Sequence, residues 1–306
     1  MRIIERDGFV RVDAPAKINL FLEILAQRQD GYHELETLMA TVGIYDTIEF
    51  VRTEESSIEL TCRLGIGLAG PVRRASVPGT PFPLGRENLV YRALDALRQA
   101  TGYRGGGRVH LHKRIPWQAG LGGGSSDAAA ALWAANRAWG LNWSRREMVD
   151  LASRLGSDIP FFFWGGAAVC RGRGERVSPL RRTRRLPLVI AIPPVGLATA
   201  DVFRQCTVAD APQRVEPCEE AWNGSMPGPA LPNLFNRLEA PACRLEPAVD
   251  RLRTAIAASG ASAARMSGSG SSCFGICRSM PHARRVAGRL RAEGWTATYV
   301  TTTVEA

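Results

Sequence analysis

The chain has 306 residues, 45% hydrophobic and 22% charged, with a formal net charge of +10. That length and apolar content suit a folded protein with room for two cores and exclude a disordered chain. The opening MRIIERDGFVRV is charged and lacks an apolar h-region, and no run of eighteen uncharged apolar residues occurs, so the sequence reads as a cytoplasmic protein with no membrane span.

In chain order, FVRVDA (9–14), INLFLEIL (18–25), DTIEFV (46–51) and SIELTC (57–62) carry alternating or β-rich apolar patterns that predict strands. Residues 71–85 form a Pro/Gly-rich connection. ENLVYRALDALRQATG places Leu89, Ala93, Leu94 and Leu97 on one helical face and closes on Gly102. The strand GRVHLHKRI leads to Pro116 and a glycine loop, followed by an alanine-rich helix over 125–139. A further helix begins at Ser144, with Glu147 completing a capping box. GSDIPFFFWGGAAVCRGRG reads as a turn passing into short apolar strands. The second half alternates: strand at LPLVIAIP, helix at 199–207, a Pro-rich polar span at 210–232, helices at 233–240 and 244–259, strand at ASAARM, loop at SGSGSS, strand at CFGIC, helix at 281–293, strand at WTATYVTTT. This order predicts an α+β protein whose second domain is a sandwich with helices on one face, the division falling near 165–185 and written as 1–170 and 171–306.

Seven cysteines are scattered without a C-x-x-C pair, so neither zinc nor a disulfide framework is indicated. His110 and His112 alternate on one strand face and read as a metal pair or as a satisfied surface strand, the latter preferred. The net charge and RGRGERVSPLRRTRR (171–185) raise a nucleic-acid reading. Of the 39 lysines and arginines, however, two are lysine and the remaining 37 arginine, so the positive charge reflects residue usage. The informative cations are the exceptions, Lys17 and Lys113, because a compact ammonium suits a single phosphoryl or hydroxyl oxygen.

Five stretches carry candidate chemistry. AGLGGGSSDAAAALWAA sets Gly122, Gly123 and Gly124 before a helix, where unpaired N–H groups and the helix dipole favour an anion and glycine lets phosphate approach. The alternative is a turn capped by Ser125 or Ser126. The loop is neither a P-loop, which requires a lysine before its Ser/Thr, nor a dinucleotide fingerprint. APAKINLFL turns Lys17 and Asn19 to one strand face, for a ligand or as a sheet-edge device. LGSDIPFF puts Asp158 at an apolar turn, where it either satisfies backbone donors or is held ionised by a lysine. RQDGYHEL presents Tyr32 and His33 from a turn, and RMSGSGSSCFG offers a second glycine/serine loop with Gly268, Ser269 and Gly270. One lysine, one aspartate and two such loops, without a histidine dyad, fit phosphoryl transfer, in which catalysis is positioning and charge neutralisation.

APAKINLFL, RQDGYHELETL, PWQAGLGGGSSDAAAAL, LGSDIPFF and RMSGSGSSCFG, in this order and over essentially the whole chain, resemble the GHMP kinases. PAKINL with DGYHEL points to the branch that phosphorylates the 2-hydroxyl of a cytidine-diphosphate methylerythritol on the non-mevalonate route to isoprenoids. The resemblance implies an N-terminal domain like ribosomal protein S5 domain 2, a ferredoxin-like C-terminal domain, ATP and Mg2+ as cofactors, and a monomer or weak homodimer bound to neither nucleic acid nor membrane. It also implies that Lys17 and Asp158 are the catalytic pair. Pro116, Trp117, Gln118, Ala119, Gly120, Leu121, Gly122, Gly123, Gly124, Ser125 and Ser126 would hold the ATP phosphates, with Lys113 and Asn88 towards the adenosine. Asn19 would contact a substrate hydroxyl, Tyr32 and His33 the cytosine, Phe203 a second stacking face, and Thr199 the methylerythritol; Gly268, Ser269 and Gly270 would line the substrate side. Trp117-Gln118 and the arginine-rich 171–185 stretch depart from the family pattern without touching the catalytic pair. Rival readings are another GHMP-type small-molecule kinase and a non-catalytic nucleotide or sugar sensor on the same scaffold, the latter signalled by loss of the base or the lysine.

Overall fold

The computed structural model describes residues 1–65, 83–224, 231 and 233–305. Most of the 71–85 connection, and residues 225–230 and 232 of the expected polar span, lie outside them. Two sheets organise the chain. The first begins with β1 (Arg2–Arg6), β2 (Phe9–Gln27), β3 (His33–Thr53) and β4 (Ile58–Leu64). After α1 (Leu89–Thr101) comes β5 (Gly106–Lys113), giving the order β1-β2-β3-β5-β4 with β4 parallel to β5. Then follow α2 (Gly123–Ala138), α3 (Arg145–Leu155) and α4 (Ile159–Trp164). The hairpin of β6 (Ala167–Gly172) and β7 (Arg176–Pro179) joins the same sheet, β6 pairing with the first half of β3 while β5 pairs with its second half.

The second sheet opens with β8 (Pro187–Ala191). The chain then runs through α5 (Thr199–Arg204) and α6 (Glu216–Asn223), makes a two-residue return to β2 as β9 (Phe235–Asn236), and continues into α7 (Glu239–Leu245) and α8 (Pro247–Ala258). The strands β10 (Ala263–Met266) and β11 (Cys273–Ile276), helix α9 (Met280–Ala292) and strand β12 (Thr298–Thr302) complete it in the antiparallel order β10-β11-β8-β12.

Burial follows from side-chain alternation. On β8, Leu188 and Ile190 join a core shared with Ile18, Leu20 and Leu38 of the first sheet, while Val189 and Ala191 face Val249, Leu252 and Val286 of α8 and α9. Both faces of β8 are covered, which is why it reads as a continuous apolar run. On the other side, α1 and α2 bury Leu94, Leu97 and the alanines of α2 against Val12, Ile48 and Phe50. The short alanines let that helix approach the sheet closely. No helix among the described residues is long and apolar enough to cross a membrane.

Several expected elements differ. FVRVDA and INLFLEIL are one strand, bent by register shifts at Pro15/Ala16, Asn19/Phe21 and Ile24/Ala26. IPFFFW is the helix α4: an unbroken apolar run lacks a distinguishing period, and Pro160 fits the first turn, where no N–H is required. The polar span contains α6, which buries Cys218 and Trp222. Where a helix is expected at 233–240, Phe235 and Asn236 pair with β2 as β9, and the Asn236 side chain donates to the carbonyls of Met266 (2.9 Å) and Gly268 (2.8 Å).

Candidate active site

A cavity of about 890 Å3 is lined by β2, the β2–β3 turn, residues 116–125, Asp158, α5 and Gly268 with Ser269. Since Ile18 and Leu20 point into the inter-sheet core, Lys17 and Asn19 point to the opposite face of β2, into this cavity. The Lys17 backbone N–H donates to the Leu121 carbonyl (2.9 Å), which seams the glycine loop to the strand. Lys17 Nζ donates to Asn19 Oδ1 (2.6 Å) and lies 3.5 Å from Asp158 Oδ2. Asn19 in turn donates to Thr37 Oγ1 (2.9 Å) on β3, fixing its amide orientation. Asp158 stands at the N-cap of α4, yet its side chain makes no capping hydrogen bond, and 36% of it is exposed while Lys17 is only 4% exposed. The carboxylate is therefore not a structural cap. It faces the cavity with a single buried ammonium beside it.

The glycines before α2 do different jobs. A side chain at Gly120 would land on the Ser267 carbonyl, one at Gly122 would come within 2.8 Å of Lys17 Cγ, and one at Gly123 within 2.8 Å of Lys113 Nζ. Those three glycines admit the protein's own atoms. Only Gly124 faces open space, with no atom within 4 Å of the place a Cβ would occupy. The helix N-cap is Gly122 itself, at φ 68°, without a side-chain cap, so Ser125 and Ser126 lie inside the helix rather than closing it. The first-turn N–H groups of a sixteen-residue helix are thus presented uncapped beside the cavity wall.

Beneath the loop, Lys113 is 1% exposed and ion-paired with Asp46 and, at 2.8 Å, with Asp127. Burial alone would lower the Lys113 ammonium, but the two carboxylates more than reverse this and raise its pKa. Burial, reinforced by the Asp46 charge, pushes Asp127 well above the usual carboxylate range. The Asp46 carboxylate also accepts from the backbone N–H groups of Arg114 and, at 2.7 Å, Ile115, so the cluster braces the chain just before Pro116. Lys113 does not line the cavity, contrary to the expectation of an adenosine contact. Nor does Asn88, whose Oδ1 accepts from Val90 N (2.8 Å) as the cap of α1 and whose Nδ2 donates to the Pro83 carbonyl (2.7 Å). Ser126, fully buried, and Gly270, whose Cβ would meet Met266 Sδ at 2.8 Å, are likewise withdrawn from the lining.

On the other side, Tyr32 is 52% exposed at the tip of the β2–β3 turn. The His33 and Phe203 rings lie 5.2 Å apart, and the Thr199 and Ser269 hydroxyls 2.9 Å apart. A side chain at Gly268 would come within 3.2 Å of Lys17 Nζ, so the second glycine loop closes over the lysine. Ser267 holds it there, accepting from Asn19 N (3.3 Å) and donating to the Gly120 carbonyl (3.0 Å). Thr37, Ser267 and Asn236 are supporting residues that the sequence does not mark. Thr37 and Ser267 lie within two of the motifs and Asn236 outside them all, and each acts through partners distant along the chain, which local spacing does not show. Arg173 and Arg204 also line the cavity, where Asp158 is the one carboxylate among the described residues, so its walls favour a polyanion. His110 and His112 face each other at 4.4 Å but turn to Thr61 and Glu49, and no group of three or more His, Cys, Asp or Glu is placed to hold a metal among the described residues.

Residues 88–166 match the family model for the GHMP kinases N terminal domain, and residues 226–294 that for the GHMP kinases C terminal. A 4-diphosphocytidyl-2-C-methyl-D-erythritol kinase of Pelotomaculum thermopropionicum is 40% identical over 91% of this chain and 92% of its own length. One from Moorella thermoacetica is 38% identical over 95% and 98%. A crystal structure of 4-(cytidine 5'-diphospho)-2C-methyl-D-erythritol kinase superposes with a TM-score of 0.77 at 36% identity, covering 97% of this chain and 100% of the other.

Proposed function

We propose, since the chain belongs to the GHMP kinases and within them to the 4-diphosphocytidyl-2-C-methyl-D-erythritol kinases, that its cavity carries ATP-dependent phosphorylation of that cytidine-diphosphate substrate with Lys17 and Asp158 as the reacting pair. The observation that carries this reading is the placement of the 3.5 Å Lys17–Asp158 pair on the same cavity as an uncapped helix N-terminus. The ATP phosphates lie along residues 116–125, over Gly124 and the first turn of α2. The substrate's 2-hydroxyl approaches Asp158, which takes its proton as the oxygen attacks the γ-phosphorus and ADP departs. Lys17, a single-point donor oriented by Asn19, stabilises the negative charge on the attacking and phosphoryl oxygens. The N-terminal unit supplies these groups; its expected end at 170 falls inside β6, and its sheet continues through β7 to Pro179. The C-terminal unit supplies Thr199, Phe203 and the Gly268–Ser269 edge, with Tyr32 and His33 opposite for the cytosine.

Mg2+ fits this donor set as an ion carried by the nucleotide: among the described residues one carboxylate lines the cavity, too few for a protein cage, and the Ser125 hydroxyl on the wall is an oxygen donor that would hold it. When bound it neutralises charge on the transferring phosphoryl group. The test is ADP release from ATP·Mg with the cytidine-diphosphate substrate against mevalonate, homoserine and galactose. The cytidine substrate should be preferred by at least about 10²-fold in kcat/KM, as expected of a site that hydrogen-bonds its substrate's polar edge. Equal turnover of the controls would overturn the assignment.

A further inference from the structure

The arginine-rich stretch at 171–185 has no part in the phosphoryl transfer above, yet its leading arginines are engaged within the molecule. Arg171 Nε donates to Glu36 Oε1 (2.8 Å), and Arg176 is ion-paired with Glu34, just past the β2–β3 turn. Arg173, at the tip of the β6–β7 hairpin, places its guanidinium carbon 4.8 Å from the centre of the Tyr32 ring. It is itself held in place: Nη2 donates to the Ser153 carbonyl on α3 (3.1 Å), and its backbone N–H donates to Glu175 Oε2 (2.6 Å). At the next residue, Gly174, an added Cβ would come within 3.6 Å of Asp158 Oδ1. One hairpin therefore borders the proposed base and packs on the proposed cytosine-stacking ring.

An aromatic half exposed at the tip of a turn has little packing to fix it, so the order of the Tyr32 ring depends on what lies against its faces. Resting on the reading of Tyr32 as the cytosine platform, we infer that Arg173 is a positioning residue for base recognition. Its guanidinium occupies one face of the Tyr32 ring and holds the other face towards the cavity for the pyrimidine. Arg173 acts through Tyr32, so it governs substrate capture and leaves the chemical step alone.

The experiment is a kinetic double-mutant cycle on the full chain with the cytidine-diphosphate substrate. Arg173→Ala should raise the KM for that substrate by about tenfold, within the range of a cation–π contact, with kcat and the KM for ATP within about twofold of the parent. Arg173→Lys, which keeps a cation but not the planar fork, should recover part of the loss. In a Tyr32→Ala background, Arg173→Ala should add little. If it multiplies KM by the same factor there, Arg173 acts on the substrate directly and the assignment is wrong. A fall in kcat in place of a rise in KM overturns it as well, as does an Arg173→Ala variant that matches the parent. If the parent does not prefer the cytidine substrate over the control alcohols, the functional reading itself fails and takes this inference with it. Thermal melting of each variant, with the lysine variant as second probe, separates misfolding from these outcomes.

Discussion

The two lysines of this chain sit on either side of one glycine loop and have opposite surroundings. Lys113, below it, is enclosed by two carboxylates, both buried, in a cluster that braces the Arg114 and Ile115 backbone. Lys17, above it, is almost as buried but has one carboxylate, at 3.5 Å and 36% exposed, and one amide. A buried charge whose partners are all internal is committed to the fold, because removing it leaves the partners unpaired. An ammonium that shares its carboxylate with a cavity keeps capacity for a ligand's oxygens. Burial and residue type are nearly the same at the two sites; what separates them is whether the partner faces protein or open space.

The comparison can be broken hardest at Asp158. Asp158→Asn keeps the shape but removes the acceptor of the proton, and kcat should fall by about 10²–10⁴-fold, while melting drops only modestly because the side chain makes no cap and Lys17 keeps its hydrogen bond to Asn19. Turnover near the parent's would remove Asp158 from the chemistry. The open side of the loop is sharpened by Gly124→Ala, because nothing of the protein surrounds that position. Alanine in the first turn should stabilise the fold by up to about 1 kcal/mol, yet its methyl meets the phosphates, so the KM for ATP should rise by about tenfold. A more stable variant with unchanged ATP affinity would place the phosphates elsewhere.

The smallest effect concerns a second enclosed charge, Glu23 on β2. Burial alone would push its carboxyl up, but the Arg237 guanidinium and the N–H groups of Gln213 and Ile24 outweigh it, so its folded pKa lies below its ordinary 4.5. A depressed pKa contributes stability that is present above about pH 4.5 and is lost as pH falls through the folded value. Melting temperature against pH should therefore show a shallower acid decline in Glu23→Gln than in the parent. Parallel curves would assign the decline to other carboxyls.

Much of this organisation is legible in the sequence where local chemistry decides. The capping box of Ser144 and Glu147 opens α3 and the left-handed Gly102 closes α1, as the residues predict. Lys17, Asn19, Asp158 and both glycine loops reach one cavity. What is not legible depends on long-range partners. Nothing near Lys113 marks it as structural, because its carboxylates lie 67 and 14 residues away. Asn88 does carry a local signal, a cap residue before an amphipathic run, and the structure shows it in that role. The aromatic run after Asp158 folds as a helix where a strand is expected, because three phenylalanines in succession fit a buried strand and a buried helix equally well.

The most direct test of the difference between the two lysines is a paired measurement of unfolding free energy and kcat on Lys17→Met and Lys113→Met. Lys113→Met should lose about 3–5 kcal/mol of stability, the cost of stripping a buried pair, while molecules that remain folded keep turnover within about tenfold. Lys17→Met should keep its stability to within about 1 kcal/mol, since the Asp158 it leaves behind is partly solvated, and should lose at least about 10²-fold in kcat. A stable but inactive Lys113→Met beside an active Lys17→Met would contradict the account.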